Sequence, residues 1–236
     1  MKRARDGQVQ LPDFQRGWVW DDEGLRSLLA SISRSFPVGA VMTLQTGGEV
    51  RFKPRTIEGA PDASSKVMAE SLLLDGQQRI TSLYQTTMRQ AVVDTMNSKK
   101  QKIKRFYYID MNAALDETAD RFDAIIGMPE NRIETRNFGK EIVRDLSSQA
   151  AEFELGMFPT NRIFDWNDWQ TGFVSHWGYA PEKTQFGSGS STMFWLPFIN
   201  TRCRSSNLGA APAGRLSALC SKRSIRAARS LMPLSC

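Results

Sequence analysis

The sequence predicts an α/β or α+β fold, because apolar strand-like runs alternate with segments of helical periodicity. Three runs rich in β-branched, aliphatic or aromatic residues have strand character: 37–45, 71–75 and 104–111. The chain has 236 residues, of which 41% are hydrophobic. A chain of this size can bury one substantial core together with a small second lobe.

The first predicted elements lie close to the N-terminus. Residues 8–12 form a short extended segment, because Pro12 keeps the residue before it out of a helix. A helix follows from Asp21 or Asp22, either of which can cap it, with Glu23 in the first turn. The apolar residues at helical spacing are Leu25, Leu28, Leu29 and Ile32.

A second series of elements begins with the buried strand 71–75, which leads into a helix that runs to about Gln90. After strand 104–111, residues 112–147 mix short helical and loop signals. An aromatic-rich segment from Phe158 onwards marks the start of a helical lobe. The predicted organisation is a core over 1–112, a partial helical lobe over 113–200 and a tail over 201–236.

The positive charge is concentrated at the C-terminal end. Of the 31 Lys and Arg residues, seven lie in 201–236, which contains no Asp or Glu. Without those seven, 24 basic residues face 25 acidic ones in residues 1–200. The net charge of +6 is therefore no indication of a DNA-binding surface on the globular part.

The segment 201–236 differs in composition from the rest of the chain. It has no aromatic residues and holds all three cysteines, whose spacing fits neither a zinc site nor a disulfide framework. One interpretation is a disordered basic tail. The other is translation out of frame after about residue 200, since one choice of codons for 220–236 encodes, in another frame, a peptide with acidic residues, a turn and a helix-like ending. We expect the out-of-frame origin.

The sequence also bounds the location. It has no run of 18 apolar residues, so no transmembrane helix is expected. The N-terminus is basic but has no apolar stretch of the kind found in secretory signals. We expect a cytoplasmic protein.

The stretch LLLDGQQR joins a buried strand to a helix through residues suited to holding an anion. Such a junction points backbone N–H groups at one place, and the helix dipole adds partial positive charge there. Gly76 permits a tight turn, and Arg79 offers a forked donor for phosphate oxygens. Asp75 can hold a magnesium ion or orient a water, while Gln77 and Gln78 can position that water or a base edge.

An ordinary strand–helix turn is the alternative, with Asp75 as the N-cap and Arg79 in a salt bridge. The stretch is not a Walker loop, because the GK[ST] element is absent. Both interpretations remain open on the motif alone.

A second polar island lies near the N-terminus, where Gln15-Arg16 precedes Trp18 and Trp20. A Gln-Arg pair beside aromatic residues can hydrogen-bond to a base, stack on it, or clamp a backbone phosphate. Packing in the core is the alternative for the two tryptophans.

Five segments resemble, in order, the N-terminal domain of GmrSD-type restriction endonucleases: LPDFQRGWVW, FPVGAVMTL, LLLDGQQRITSLY, FYYIDM and GMFPTNRIFD. That family, long described as a domain of unknown function, belongs to the ParB/sulfiredoxin-like superfamily. The resemblance covers roughly residues 8–200 and is specific because two motifs, DGQQR and QRxWxW, occur together. It implies a mixed sheet with flanking helices, followed by the start of a helical lobe.

The resemblance also implies a function: a domain that binds and hydrolyses, or senses, a nucleoside triphosphate in a modification-dependent, type IV-like antiphage restriction system. The implied catalytic residues are Asp75, Gln77, Gln78 and Arg79. The implied nucleotide- or DNA-binding residues are Gln15, Arg16, Trp18 and Gly76. A nucleoside triphosphate and Mg²⁺, with Asp75 as its candidate ligand, are the implied cofactors, and modified DNA and a separate HNH nuclease subunit are the implied partners.

The chain departs from the family pattern in its histidines. Members of the family often carry a C-terminal HNH nuclease, whose metal and base chemistry needs several histidines and an asparagine. This chain has one histidine, His176, and its aromatic neighbours predict a packing role. We therefore expect no nuclease activity from this chain alone. Two alternatives to the nucleotide-dependent function stay open: a module that binds modified DNA without turnover, and a truncated fragment without function.

Overall fold

The computed structural model describes residues 1–48, 52–116, 118–190 and 205–208. These residues form seven α-helices and eleven strands, which confirms the predicted α+β class. The helices are α1 (Lys2–Arg5), α2 (Asp22–Ser33), α3 (Gln77–Thr87), α4 (Met111–Leu115), α5 (Gln149–Leu155), α6 (Trp166–His176) and α7 (Pro181–Ser190). The strands are β1 (Val9–Pro12), β2 (Val41–Gln45), β3 (Pro54–Arg55), β4 (Ser71–Asp75), β5 (Val93–Met96), β6 (Lys102–Asp110), β7 (Ile125–Pro129), β8 (Ile133–Arg136), β9 (Glu141–Asp145), β10 (Met157–Pro159) and β11 (Ser205–Leu208). Short 3₁₀ helices cover Asp62–Lys66, Asn137–Gly139 and Thr160–Asp165.

The first sheet is mixed and has the strand order β11-β2-β4-β1-β3. Its central strand β4 runs parallel to β1 and antiparallel to β2. The two outer pairs are a parallel one, β11 with β2, and an antiparallel one, β3 with β1. Because β4 is central, the turn that follows its last residue, Asp75, lies at the end of the sheet rather than on an exposed edge.

The second sheet is built around the long strand β6. It pairs antiparallel with β5 over Lys102–Arg105, with β7 over Arg105–Ile109 and with β10 over Tyr108–Asp110. The boundary predicted at residue 112 falls between β6 and β7, which are paired with each other.

Strands β7, β8 and β9 were not predicted. They lie in the stretch for which the sequence predicts short helical and loop segments. The pair β8–β9 forms a separate two-stranded hairpin whose side chains are exposed or only partly buried. An exposed hairpin has no apolar face, so it lacks the alternation that identifies a strand in a sequence.

Helix α2 begins as predicted. The carboxylate of Asp21 accepts a hydrogen bond from the backbone N–H of Gly24 at 2.8 Å, so Asp21 is the N-cap. The apolar residues expected on its inner face are buried: Leu25, Leu28, Leu29 and Ile32.

Helix α3 contributes to two apolar clusters. Leu83 packs into the larger one, together with residues of α2, β6 and α6, while Tyr84 packs with Leu11 and Leu73 of the first sheet. The helix ends at Thr87, three residues before the predicted end. Because it is held on both sides, α3 is a firm support for the turn at its N-terminus.

The C-terminal helices pack through aromatic rings, and the range 113–200 predicted as a helical lobe also contains strands β7 to β10. Phe153, Phe158, Trp169 and Phe173 stack or meet edge to face at centroid distances between 4.9 and 5.9 Å. The ring of His176 lies 5.5 Å from that of Phe153 and 5.3 Å from that of Trp177, so it contacts aromatic rings although the residue is exposed.

The tail 201–236 is described only at 205–208, where the backbone forms β11. The rest of the prediction for that segment lies outside the described residues. None of the helices in the described part of the chain has the length and hydropathy needed to span a membrane.

Candidate functional site

The turn between β4 and α3 is tight and depends on its glycine. Gly76 is the N-cap of α3 and adopts the left-handed conformation, with φ of 88° and ψ of 8°. A Cβ atom there would lie 3.2 Å from Cγ2 of Val41. No side chain caps the helix, so its first N–H groups point out of the turn without a capping carboxylate. Asp75 as N-cap, the alternative considered above, is therefore wrong.

Asp75 is the last residue of β4, and its side chain is 69% exposed. Its Oδ2 atom lies 3.9 Å from Nη2 of Arg79, so the two form only a long ion pair. Across the described ranges, no three His, Cys, Asp or Glu residues are grouped as they would be in a metal site. Asp75 thus offers a single carboxylate, open to solvent, beside the start of α3.

Arg79 uses both arms of its guanidinium group to hold a loop. Its Nη1 atom donates to the backbone carbonyl of Val38 at 2.6 Å, and its Nη2 atom donates to that of Ala40 at 2.7 Å. Gly39, between them, has a φ of 93°, and a Cβ atom there would overlap Nη1 of Arg79. The structure therefore places Arg79 against backbone carbonyls, with 27% of its side chain exposed.

The two glutamines of the motif bind the segment 16–19. Gln77, which is buried, donates from Nε2 to the carbonyl of Arg16 at 2.8 Å. Gln78 donates to the carbonyl of Gly17 at 3.1 Å and accepts from the backbone N–H of Val19 at 2.9 Å. The two predicted motifs therefore form one hydrogen-bonded unit, although the residues joined by the Gln77–Arg16 and Gln78–Gly17 bonds are 61 positions apart in the sequence.

Gln15 strengthens that unit from the other side. Its Nε2 atom donates to the carbonyls of Leu73 and Leu74 in β4, at 2.8 and 3.0 Å. Its Oε1 atom is buried and has no hydrogen-bond partner among the described residues. A buried acceptor without a partner is costly unless a donor from water or a ligand reaches it.

Arg16 is held by its backbone and leaves its side chain exposed. Its carbonyl accepts from Gln77 and, at 3.2 Å, from Nη2 of Arg55. Its guanidinium group makes no hydrogen bond or ion pair with the part of the chain that the structure describes, and the residue is exposed. Among the predicted site residues, Arg16 is the one whose cation is not engaged in holding the fold.

The tryptophans have mixed roles. Trp18 donates from its indole Nε1 to Oγ of Ser82 at 2.9 Å, and its backbone N–H donates to Glu58. The carbonyl of Trp20 accepts from Oγ1 of Thr95 at 2.7 Å. Both rings pack in part against the larger apolar cluster, so each has a buried side and an accessible side.

A cleft of about 850 Å³ opens beside the segment 18–20. One wall is formed by Trp18, Val19 and Trp20, and the other by strands β5 and β6 with the end of β7. Its charged lining residues are Asp94, Lys102, Lys104, Arg105 and Glu130. Lys104 is paired with Glu130 at 3.0 Å, which leaves Lys102 and Arg105 against Asp94, so the lining is weakly basic with a net formal charge of +1.

Two residues of this site were missed in the sequence. Glu58 forms an ion pair with Arg55 at 2.8 Å and accepts a hydrogen bond from the backbone N–H of Trp18 at 3.2 Å. This ion pair therefore helps to hold the segment 16–19 in place. The second oxygen of Glu58, Oε2, is buried and has no hydrogen-bond partner in the described residues. Arg55 ends β3 and Glu58 lies in the loop after it. This polar stretch has no periodicity, so only the three-dimensional contacts reveal the role of the two residues.

A family profile and a curated relative both match the chain. The sequence profile of the GmrSD restriction endonuclease N-terminal domain matches residues 1–171. The chain is also similar to the uncharacterized protein MJ0686 of Methanocaldococcus jannaschii, with 30% identity over 125 residues. That alignment covers 51% of this chain and 21% of the archaeal protein, so the chain corresponds to about a fifth of that relative's length. The matched range contains both hydrogen-bonded motifs, and the chain belongs to the family of GmrSD restriction endonuclease N-terminal domains.

Proposed function

We propose that the chain is a nucleotide-dependent sensor module of a modification-dependent restriction system. It binds and hydrolyses a nucleoside triphosphate at the turn between β4 and α3, and it thereby controls attack on DNA. The observation that supports this proposal is the hydrogen-bonded union of the two motifs, which leaves the side chains of Arg16 and Asp75 exposed near an uncapped helix start. As a module that acts on DNA, it works in the cytoplasm.

The charges at the turn favour a phosphate group. A helix N-terminus supplies about half an elementary charge, which is too little to neutralise a triphosphate. Arg79 adds a fixed cation, although both arms already serve the loop carbonyls. Arg16 adds a cation that can move towards the ligand, because its side chain is exposed and unpaired among the described residues. Arg16 is therefore the main charged contact in this proposal, with Arg79 in a supporting role.

The donor set also fits a magnesium ion that arrives with the nucleotide. Mg²⁺ in nucleotide sites is held by one or two carboxylates together with phosphate oxygens and waters. Asp75 provides one exposed carboxylate, and the described residues contain no group of three or more His, Cys, Asp or Glu that could hold a metal ion on its own. When bound, the ion would neutralise phosphate charge, and Asp75 would hold it in place. Gln77 and Gln78 then act by fixing the segment 16–19.

Calorimetric titration with ATP and GTP in the presence of Mg²⁺ tests this proposal. Arg16→Ala should weaken binding by about 1.5–3 kcal/mol, as expected for a hydrogen bond to a charged group, and leave the melting temperature unchanged. Arg79→Ala should lower both the affinity and the melting temperature. Asp75→Asn should reduce hydrolysis more than binding. Lys140→Ala, in an exposed position on the β8–β9 hairpin, is the control. Unchanged affinity in Arg16→Ala would refute the proposed role of this residue, and the absence of any nucleotide binding would refute the function.

A DNA-binding module without turnover is the second candidate, and the basic cleft beside Trp18 and Trp20 favours it. Aromatic rings and cations along one groove suit a nucleic-acid strand. Fluorescence anisotropy with modified and unmodified DNA, at several salt concentrations, would identify this function. Arg105→Ala should then weaken binding and reduce its salt dependence by about one unit of slope. Cleavage of the bound DNA is assigned to a separate HNH nuclease subunit as partner.

A further inference from the structure

A buried carboxyl group lies against the second sheet, away from the two motifs. Glu152 of α5 is only 5% exposed. The hydroxyl of Tyr108 donates to its Oε1 at 3.2 Å, and the indole Nε1 of Trp169 reaches its Oε2 at 3.5 Å. Nη1 of Arg132 lies 4.0 Å from Oε1. Charge-assisted hydrogen bonds are usually about 2.7–2.9 Å long, so this carboxyl group is poorly satisfied by its neighbours.

Burial has the expected electrostatic effect on this group. It raises the pKa of Glu152, and the hydrogen bonds from Trp169 and Tyr108 and the charges of Arg132 and Arg162 offset this only in part. Burial and the neighbouring carboxyl group also raise the pKa of the Tyr108 hydroxyl, which therefore remains a donor. A buried and weakly bonded acid of this kind is costly to the fold and often marks a functional site.

A polar pocket of about 190 Å³ opens onto Glu152. The polar side chains that line it are Gln90, Arg132, Gln149, Glu152, Asn161 and Arg162. Glu152 is the buried member, whereas Gln149 and Arg162 are exposed and mark the mouth. The pocket is smaller than the roughly 300 Å³ at which pockets begin to enclose a drug-sized ligand, so it suits one ring and not a whole nucleotide.

Arg132 is fixed at this pocket by its backbone. It has a φ of 59°, in the left-handed region that non-glycine residues rarely adopt. Its N–H donates to the carbonyl of Pro129 at 2.8 Å, and its own carbonyl accepts from the N–H of Leu146 at 2.9 Å. The guanidinium group then lies over the ring of Phe106, 4.5 Å from its centroid. Backbone strain of this kind is found at ligand clamps.

We propose that this pocket binds the amino-bearing edge of a nucleobase, whose amino group donates to Glu152 and whose phosphate faces Arg162. The pocket presents an acceptor at its buried end and cations nearer its mouth, so its ligand carries a donor at one end and an anionic group at the other. Adenine and cytosine have an amino group beside a ring nitrogen acceptor, which suits Glu152 and Arg132 together. Uracil and hypoxanthine place a carbonyl oxygen at the amino position and an N–H at the ring nitrogen, so in this orientation neither group matches ionised Glu152 or Arg132. The preference should therefore grow as the pH rises through the raised pKa of Glu152. The inference rests on the proposed action on nucleotides or DNA and adds a base-reading site to it.

Two matched pairs of mononucleotides test this inference on the unmodified chain. AMP and IMP, like CMP and UMP, differ in the exchange of an amino group for a carbonyl and of the adjacent ring nitrogen acceptor for an N–H donor. Calorimetric titration should show at least about tenfold tighter binding of AMP and CMP than of IMP and UMP, because an unpaired buried acceptor is costly. Single-stranded oligothymidylate with one central adenine or cytosine, compared with oligothymidylate alone, shows whether the base can also be taken from a strand.

Two variants assign the preference to this pocket. Glu152→Gln keeps the shape and offers both a donor and an acceptor, so the preference for amino-bearing bases should fall below about threefold. Arg162→Ala changes an exposed residue that faces the phosphate in this proposal, so it should weaken the binding of all four mononucleotides by the same factor. Glu154→Gln, on the same helix with its side chain 62% exposed, is the matched control and should keep the preference.

Several results would overturn the inference: equal binding of the two members of each pair, no binding of any of the four, or equal effects of Glu152→Gln and Glu154→Gln. The test is separable from that of the proposed function, because the pocket shares no residue with the turn at 75–79 or with the segment 15–20. Arg16→Ala should weaken the binding of ATP and leave the preference for AMP over IMP unchanged. Loss of triphosphate binding with an intact preference would refute only the triphosphate site.

Discussion

The side-chain amide of Gln77 donates to the backbone carbonyl of Arg16 at 2.8 Å, across 61 positions of sequence. This bond joins two motifs that are separate in the chain into one rigid unit. It orients the backbone of Arg16 so that its side chain stays exposed, while the glutamine itself is buried. The glutamine is therefore a positioning residue for the arginine.

Replacing Gln77 by alanine should loosen this unit. The variant loses one buried hydrogen bond, which is worth about 0.5–1.5 kcal/mol of unfolding free energy. Urea unfolding should show that loss, and nucleotide affinity should fall with it because Arg16 is no longer held. Gln45→Ala, at an exposed position of β2, is the control and should change neither quantity by more than a few tenths of a kcal/mol. Equal effects of the two variants on stability and on nucleotide affinity would show that the Gln77–Arg16 hydrogen bond contributes to neither.

Replacing Gly39 by alanine should displace Arg79. Gly39 has a φ of 93°, and a new methyl group would overlap the guanidinium Nη1 atom. The expected loss of stability is about 1–3 kcal/mol, the cost of a strained backbone position. Gly17→Ala is the matched control, since a Cβ atom there meets nothing within 4 Å. Thermal unfolding of the two variants decides; a Gly39→Ala variant as stable as Gly17→Ala would show that Arg79 does not depend on this loop conformation.

The position of the turn was predictable from sequence, whereas the bonds of its side chains were not. An apolar strand followed by Asp-Gly and a helical pattern locates the turn and the need for glycine at residue 76. The partners of Arg79 and Gln77 lie 41 and 61 positions away, so their bonds depend on how the sheet brings those segments together. The local sequence therefore suggests a phosphate contact for Arg79, but it does not reveal that two backbone carbonyls, those of Val38 and Ala40, already accept hydrogen bonds from this side chain.

The pocket at Glu152 had no signal in the sequence. A glutamate in the short helix QAAEFEL is usually solvent-exposed, and Glu154 two residues later does face solvent. Burial of Glu152 follows from strands β7 and β10 on either side of β6 and from the aromatic rings of α6. Because β7 was not predicted from the sequence, the burial of Glu152 beside it could not be predicted either.

Two truncations separate β11 from the segment beyond it. Removal of residues 209–236, which contain no acidic or aromatic residues, should leave the melting temperature unchanged. Removal of 205–236 also removes β11, which pairs in parallel with β2 from Val41 to Leu44, and it should lower the melting temperature by several degrees. Differential scanning calorimetry of both truncated chains gives the comparison. Equal melting temperatures would show that β11 adds no stability.

The buried acid predicts how stability changes with pH. The pKa of Glu152 is raised above its usual value of 4.5, chiefly by burial, so the native state holds this proton more tightly than the unfolded state does. Its contribution to stability is therefore fully present below pH 4.5 and is lost as the pH rises through the native pKa. The Glu152→Gln variant is neutral at every pH, so this residue adds no pH dependence to its stability. Relative to this variant, the wild-type chain should become less stable as the pH rises from 4.5 to the native pKa of Glu152, and the difference should then level off. Urea unfolding of both chains across that range measures the difference, and Glu154→Gln controls for the loss of one exposed carboxylate. A difference that stays constant with pH would mean that Arg132, 4.0 Å away, already compensates the buried charge.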